Sequence, residues 1–409
     1  MDSSTSPSST SPNNARPTRR RRPLPLVDGS KTVNEDVAVL TSGARTAAER
    51  LGYRYAELSE QHRVRHMFHP LRLLRQQPTI DAYLAGQDPF PTSVEIDPAN
   101  SCNHHCNFCI YSSLHSKERS ERLDGPRLLG LVDELAGLGV TSILFVGGGE
   151  PMTNPATVDA IEAAAAHGIS VGLVTNGSRV FPALGKRIKQ AATYARFSLD
   201  SSDPDVHLQL HRNDDHHQII ANLRALAAAD GPCTVGTGFF INADNVHDIV
   251  PAAQLVKDTG AEYIQFKSYS GVEIPADLHE RMLAELDKAL DLQGDGFDVH
   301  IVDRIFDSNV HQVRGYSRCH WQQFKPVIGA DGNVFLCAQK RTRTADGEGI
   351  AGVIGNIADR TFAEVWRGEQ RRQVLAELRL KDCPFCVHHQ QNQLVEFQSS
   401  FTAPHGSFI

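Results

Sequence analysis

The chain has 409 residues, with 41 basic and 48 acidic side chains and a net charge of −7. That length buries a large core and predicts one large domain with a smaller one attached, while the slight acidity argues against nucleic acid as the main partner. No apolar run approaches the ~18 residues needed to cross a bilayer, so no membrane association is expected.

Residues 1–30, "MDSSTSPSSTSPNNARPTRRRRPLPLVDGS", are rich in Ser and Pro and carry Arg16 and Arg19 to Arg22. They lack the apolar stretch of a secretory or twin-arginine signal, and their composition predicts a disordered, solvated arm. With nothing pointing to export, the cysteines are expected to be reduced and available as metal ligands, and the protein to be cytoplasmic. Residues 31–90 read as a helical extension, because "TSGARTAAERLGYRYAELSEQ" and "HPLRLLRQQPTIDAYLAGQ" space Leu, Ala and Tyr as helices do and show no strand alternation.

From residue 91 to 305 short β-rich runs alternate with amphipathic helices: "TSVEID", "SILFV", "SVGLV", "ARFSLD", "TVGTGFFIN" and "EYIQFKSY". Between the first two runs, Leu128, Leu131, Val132, Leu135 and Leu138 mark one helix face, with Pro126 in its first turn and Gly139 at its end. Before the fifth run, Ile219, Ile220, Leu223 and Leu226 do the same. Six such units predict an α/β fold, a partial (β/α)6 TIM-like barrel of parallel strands. Over residues 306–390 the strand–helix rhythm ends. There "FKPVIGADGNVFLC" predicts a β-hairpin turning at Asp331, Gly332 and Asn333, followed by a helix and "CPFC". This stretch is expected to be a small C-terminal domain, with 391–409 as a tail.

Function gathers at the C-terminal ends of parallel strands. "SCNHHCNFCIY" follows the first run, "GGGEP" the second, "TNG" ends the third and "SLDSS" ends the fourth. Cys102, Cys106 and Cys109 are three of eight cysteines in the chain; Cys319, Cys337, Cys383 and Cys386 lie near the C-terminus, and Cys233 stands alone. Three thiolates hold three irons of a [4Fe–4S] cluster and leave the fourth open to a small molecule. A zinc site would want a fourth ligand, but His104 and His105 lie inside the loop, where closing a tetrahedron is cramped; both are expected to face solvent.

"CNHHCNFC", with Phe108 before its last cysteine, closely resembles the CxxxCxΦC signature of radical S-adenosylmethionine (SAM) enzymes, and the resemblance extends over residues 91 to about 270. It implies that the open iron chelates SAM and that reductive cleavage yields a 5′-deoxyadenosyl radical, with a flavodoxin- or ferredoxin-type protein as electron donor. "GGGEP" resembles the glycine-rich motif that accepts the methionine amino group, so Gly148, Gly149 and Glu150 are candidate cofactor contacts; glycines let the backbone approach and Glu150 pairs with an ammonium. Ser198 and Asp200 match the ribose-contacting position, Arg212 in "HLQLHRND" matches an arginine that meets the SAM carboxylate, and Asn176 is suited to similar work. The C-terminal cysteines sit in surroundings that resemble the auxiliary-cluster domains called SPASM and, in the shorter four-cysteine version, twitch. The resemblance implies a second, fully ligated [4Fe–4S] cluster, with zinc as the alternative.

Cys233 begins the fifth run, on the floor of the barrel, and reads as a small core residue. Lys267 and Tyr269 end the sixth run on the active rim and are the catalytic candidates for touching substrate or moving a proton. The expected activity is hydrogen abstraction from a polyhydroxylated small molecule of sugar or aminocyclitol type, in antibiotic or other specialised-metabolite tailoring, with net oxidation favoured over epimerisation or dehydration. Modification of a ribosomal peptide is the alternative. A non-catalytic iron–sulfur sensor fits the SAM-type motifs poorly.

Overall fold

Among the described residues the strand–helix repeat contributes seven parallel strands, one more than predicted. The computed structural model describes residues 46–59, 69–111, 120–268, 273–294, 296–302, 305, 314–341, 352–383 and 385–400. The arm over 1–30, Tyr269 and residues 401–409 lie outside them. The strands β1 (Ser93–Ile96), β2 (Ser142–Phe145), β3 (Ser170–Thr175), β4 (Tyr194–Ser198), β5 (Thr234–Phe240), β6 (Tyr263–Lys267) and β7 (Asp298–Ile301) pair in chain order. The seventh, "DVHI", is only four residues long and has a single β-branched pair, which is too little alternation to stand out from its loop.

Ahead of the sheet the described residues form helices: α1 (Ala47–Ser59), a 3-10 segment (Pro70–Gln76) and α2 (Gln77–Leu84). The crossover helix α3 (Gly125–Gly137) illustrates the local logic. The Asp124 side chain accepts the Arg127 N–H at 2.8 Å, Pro126 enters the first turn, and Gly139 leaves the helix at φ +82°. Its Leu128, Leu131, Val132 and Leu135, and Ile219, Leu223 and Leu226 of α7 (His216–Ala228), are fully buried, while Leu138 just past its end is half-buried. The other crossovers are α4 (Thr157–Ala166), α5 (Pro182–Ala191), α6 (Pro204–His211), α8 (Ile249–Asp258) and α9 (Ala276–Ala289).

The register divides the sheet into two chemically different faces. Val94, Ile96, Ile143, Phe145, Val171 and Leu173 face the helices, where they form the main apolar core with Phe197, Phe239 and Phe266. Residues one step out of phase, namely Glu95, Leu144, Gly172, Tyr194, Gly236, Tyr263 and His300, share the opposite face, with Asp97, Arg196, Gln265 and Lys267 further along it. This inner face is polar towards the C-terminal ends of the strands. Below, tyrosine rings fill it: a Cβ on Gly236 would come within 2.4 Å of the Tyr263 ring, so only glycine admits that ring.

The predicted hairpin is present as β8 (Val327–Ile328) and β9 (Asn333–Phe335), with Gly332 at φ +79° in its turn. It continues the same sheet, because β8 pairs in parallel with β1, and β10 (Val353–Asn356) completes the edge. Beyond it run α10 (Phe362–Trp366), α11 (Glu369–Glu377) and α12 (His389–Ser400). The supposed tail from residue 391 thus begins as a helix, fixed by buried Val395 and Asn392.

Candidate functional site

The three-cysteine loop leaves β1 and is held on both sides. On one side the glycine-rich turn after β2 braces it: Gly149 N–H donates to Ala99 O at 3.1 Å and Glu150 N–H to Ser101 O at 2.9 Å. A Cβ on Gly149 would lie 2.2 Å from Ser101 O, so this approach demands glycine. On the other side sits the corner between α6 and α7. His105 N–H donates to His211 O, Asn107 N–H to Leu210 O (both 3.0 Å), and the Asn213 amide to Asn103 O at 2.8 Å.

The Glu150 carboxylate is buried and accepts from Met152 N–H at 3.0 Å, the Thr175 hydroxyl at 2.6 Å and Asn176 N–H at 2.7 Å. Burial pushes its pKa up while these donors pull it down. Three of about four lone-pair positions are thereby filled, leaving roughly one for an ammonium. Asn176 in turn donates to Asn103 Oδ1 at 3.0 Å, joining the end of β3 to the cysteine loop. Phe108 stacks on Phe240 with centroids 5.5 Å apart. Gly148 lies on the same rim, 3.0 Å from its ideal Cβ position to Arg341 Nη2, and Ser198 ends β4 half-buried on the inner face.

Asp200 is buried, its Oδ1 accepting Phe240 N–H at 2.5 Å and its Oδ2 lying 3.1 Å from His211 Nε2. Arg212 is exposed and caps α6 at φ +53°, a left-handed conformation rare for a side chain of this kind. Among the described residues its guanidinium has no ion-pair partner. Lys267 ends β6 half-buried on the inner face. The structure therefore gathers the cysteine loop, Phe108, Gly148, Gly149, Glu150, Asn176, Ser198, Asp200 and Lys267 at one end of the sheet. Cys233 precedes β5 at the other end, 1% exposed in the core.

One expectation is overturned. His105 is exposed, but His104 is 2% exposed and donates through Nε2 to Asp215 Oδ2 at 2.8 Å. The second Asp215 oxygen takes His207 Nε2 at 3.1 Å. Burial opposes ionisation of Asp215, yet the two imidazoles hold its carboxyl below the usual carboxylate range. His104 turns inward because the carboxylate 111 residues away supplies the partner that a buried imidazole needs. The signal was available: "HLQLHRNDDHH" holds four histidines and two aspartates, with His207 and His211 four apart on one helix face.

A second pair invisible to local sequence is Asp97 with Arg341. Both are essentially buried and ion-paired through Oδ2 and Nη2, while Asp97 Oδ1 and Arg341 Nε and Nη1 take no hydrogen bond among the described residues. Arg341 also lies over the rings of Tyr111 and Phe335 at 4.8 and 5.5 Å. Burial raises the Asp97 pKa to about 7, against the pull of Arg341.

All eight cysteines are free thiols. Burial is the first cause raising Cys102 to about 12, and it raises Cys106 and Cys109 as well. Each of Cys102 and Cys106 also feels the charge of Cys109, so the three converge. Likewise burial raises Cys319 to about 12 and Cys337 to about 11, and Cys319 feels the other three C-terminal thiols. Asn392 ties that set together, donating to Cys386 Sγ at 3.6 Å while its oxygen accepts His320 N–H and Trp321 N–H. Two sets of half-buried thiols, in which neighbouring thiols oppose the ionisation of Cys102, Cys106, Cys319 and Cys337, fit iron–sulfur centres, whose positive irons would reverse that penalty. A cavity of about 470 Å³ lies elsewhere, among the starts of β1 to β3 with Arg72, Trp321 and Phe324, and does not reach the cysteine loop.

Comparison with known proteins bears on this arrangement. Residues 96–256 match the family model of the radical SAM superfamily, and residues 319–388 that of the SPASM iron–sulfur cluster-binding domain. The chain is 25% identical over 299 residues to the mycofactocin maturase MftC of Mycobacterium tuberculosis, covering 71% of this chain and 74% of that one. It is 29% identical over 150 residues to a GTP 3′,8-cyclase of Pseudomonas savastanoi, covering 36% and 45%. The Streptococcus suis protein SuiB, solved with S-adenosylmethionine, superposes with a TM-score of 0.58 at 15% identity over 78% of this chain and 76% of that chain. SuiB has also been solved with its precursor peptide SuiA.

Proposed function

Given that the chain is a radical SAM enzyme with a C-terminal SPASM iron–sulfur domain, we propose that it oxidises a small, polyhydroxylated molecule of sugar or aminocyclitol type. The observation that carries this reading is the polar inner face of the sheet. Glu95 is paired with Lys325 at 3.0 Å, Arg196 donates to Gln265 at 2.5 Å, and among the described residues three polar atoms of the Asp97–Arg341 pair take no hydrogen bond. Such a lining matches a ligand dense in hydroxyl and amino groups, because each unpaired buried group costs about 1–3 kcal/mol until a partner arrives. The Tyr194 and Tyr263 rings close the space below, which suits a compact substrate.

When bound, SAM and two [4Fe–4S] clusters supply a 5′-deoxyadenosyl radical as hydrogen acceptor and an acceptor for the electron left behind. Cys102, Cys106 and Cys109 would hold the first cluster, and Cys319, Cys337, Cys383 and Cys386 the second. Gly148, Gly149, Glu150, Asn176, Ser198, Asp200 and Arg212 are the proposed SAM contacts or their supports. Lys267, on the inner face at the end of β6, takes the hydroxyl proton in its neutral amine form as the carbinol becomes a carbonyl; Tyr269 is the second candidate for that transfer. The reducing electron comes from a flavodoxin- or ferredoxin-type donor.

Modification of a ribosomal peptide is the second reading, favoured by the similarity to a maturase and to a chain solved with a precursor peptide. Anaerobic incubation with SAM, dithionite and each candidate substrate class separates the two. Substrate-dependent 5′-deoxyadenosine with an aminocyclitol or sugar panel supports the first reading; stimulation by precursor-type peptides alone overturns it.

A further inference from the structure

We propose that His211 is a positioning residue for the first iron–sulfur centre, its Nδ1–H aimed at the Cys106 sulfur so that it raises the reduction potential of the cluster Cys106 ligates. The inference rests on the reading that Cys102, Cys106 and Cys109 hold that cluster.

The proton's place follows from a chain of contacts. Asp215 accepts from Nε2 of both His104 and His207. With its proton on Nε2, His104 presents a bare lone pair at Nδ1. That atom lies 3.3 Å from His211 Nδ1. Two lone pairs would repel at this separation, so His211 carries its proton on Nδ1. The same nitrogen is 3.2 Å from Cys106 Sγ. The N–H is shared between the His104 nitrogen and the sulfur, and a ligand thiolate, being charged, takes the larger share.

The ring is clamped in this pose. It stacks on His207 at 4.4 Å with planes 16° apart and meets the edge of Phe108 at 5.6 Å. Its far nitrogen lies 3.1 Å from Asp200 Oδ2, off the line of a hydrogen bond, and Asp200 is itself fixed by Phe240 N–H. The backbone carbonyl of His211 meanwhile accepts from His105 in the cysteine loop, so ring and loop move as one body. A hydrogen bond to a cluster sulfur draws electron density from it and favours the reduced, more negative state. The His104, Asp215 and His207 triplet thus orients a donor towards one sulfur.

The test is the potential of the SAM-binding cluster in full-length, anaerobically reconstituted protein, followed by EPR and identified as the signal that changes on adding SAM. His211→Leu removes the donor. The expected result is a three- to tenfold fall in the reduced-to-oxidised ratio at fixed potential, tenfold being about 59 mV for one electron. His211→Asn, whose amide N–H falls near the Nδ1 position, restores most of it. Should the leucine variant fail to load iron, His211→Gln replaces it, since its amide reaches past the sulfur; Asn and Gln variants of equal potential would then overturn the proposal. An unchanged potential in His211→Leu, with iron content and the SAM response intact, overturns it directly. So does a stoichiometric mononuclear metal lost on substituting His211, because His104, Cys106 and His211 place their ligand atoms within 4.8 Å of one another. Wild-type protein with no SAM-sensitive cluster sinks the underlying reading as well, a result the first measurement distinguishes from the others.

Discussion

His300 offers a test of the packing that closes the inner face. Its ring lies on β7 in register with Gln265, is buried, and takes the Tyr55 hydroxyl at 2.6 Å on Nδ1. Burial first, then the nearby guanidinium charges of Arg196 and Arg72, lower its pKa from 6.5 to about 3. The folded chain therefore keeps His300 neutral where the unfolded chain protonates it. Its contribution is fully present above pH 6.5 and is lost as pH falls from there towards 3. At pH 5.5 the loss is about 1.4 kcal/mol, a tenfold shift towards the unfolded chain. Other groups titrate in the same range, so the informative quantity is the difference between wild type and His300→Gln, whose amide oxygen still accepts from Tyr55. Urea unfolding of reconstituted protein at pH 7.5 and 5.5, followed by circular dichroism, gives that difference at each pH. The wild type should lose about 1.4 kcal/mol more than the variant. A difference that stays constant across the interval would mean that His300 is already charged in the folded state, and the reasoning would fail.

Reconstituted protein should contain about eight irons per chain, from three plus four cysteines; about four irons with one zinc would refute the C-terminal half of that assignment. Cys106→Ala should abolish 5′-deoxyadenosine formation with dithionite while retaining about four irons, and continued formation would undo the central reading. Asp97→Ala strands the buried Arg341 guanidinium and should cost about 3–5 kcal/mol in thermal or urea unfolding; a cost below about 1 kcal/mol would show that water reaches the pair. Turnover in deuterated buffer should leave a carbonyl product, whereas an isomer carrying one solvent deuterium, formed only when Cys233 is present, would overturn both the oxidation and the floor placement of that thiol.

What the sequence by itself determined is whatever depends on neighbours in the chain. Helix periodicity placed Leu128, Leu131, Val132 and Leu135 in the core, and the alternation of runs set six of the seven strands that the repeat contributes among the described residues. Parallel topology then put the cysteine loop, the glycine-rich turn and the ends of β3 and β4 on one rim. The spacing of Cys102, Cys106 and Cys109 was equally legible, because a three-cysteine loop is a local device. Only the tertiary structure decided which distant groups complete the site. Cys106 meets His211 across 105 residues, His104 meets Asp215 across 111, and Asp97 meets Arg341 across 244. It also joined the C-terminal hairpin to β1. The physical reason is burial. A lone histidine or arginine in sequence is presumed to seek water, and only a folded chain that excludes water and supplies a fixed partner makes the interior the better place for it.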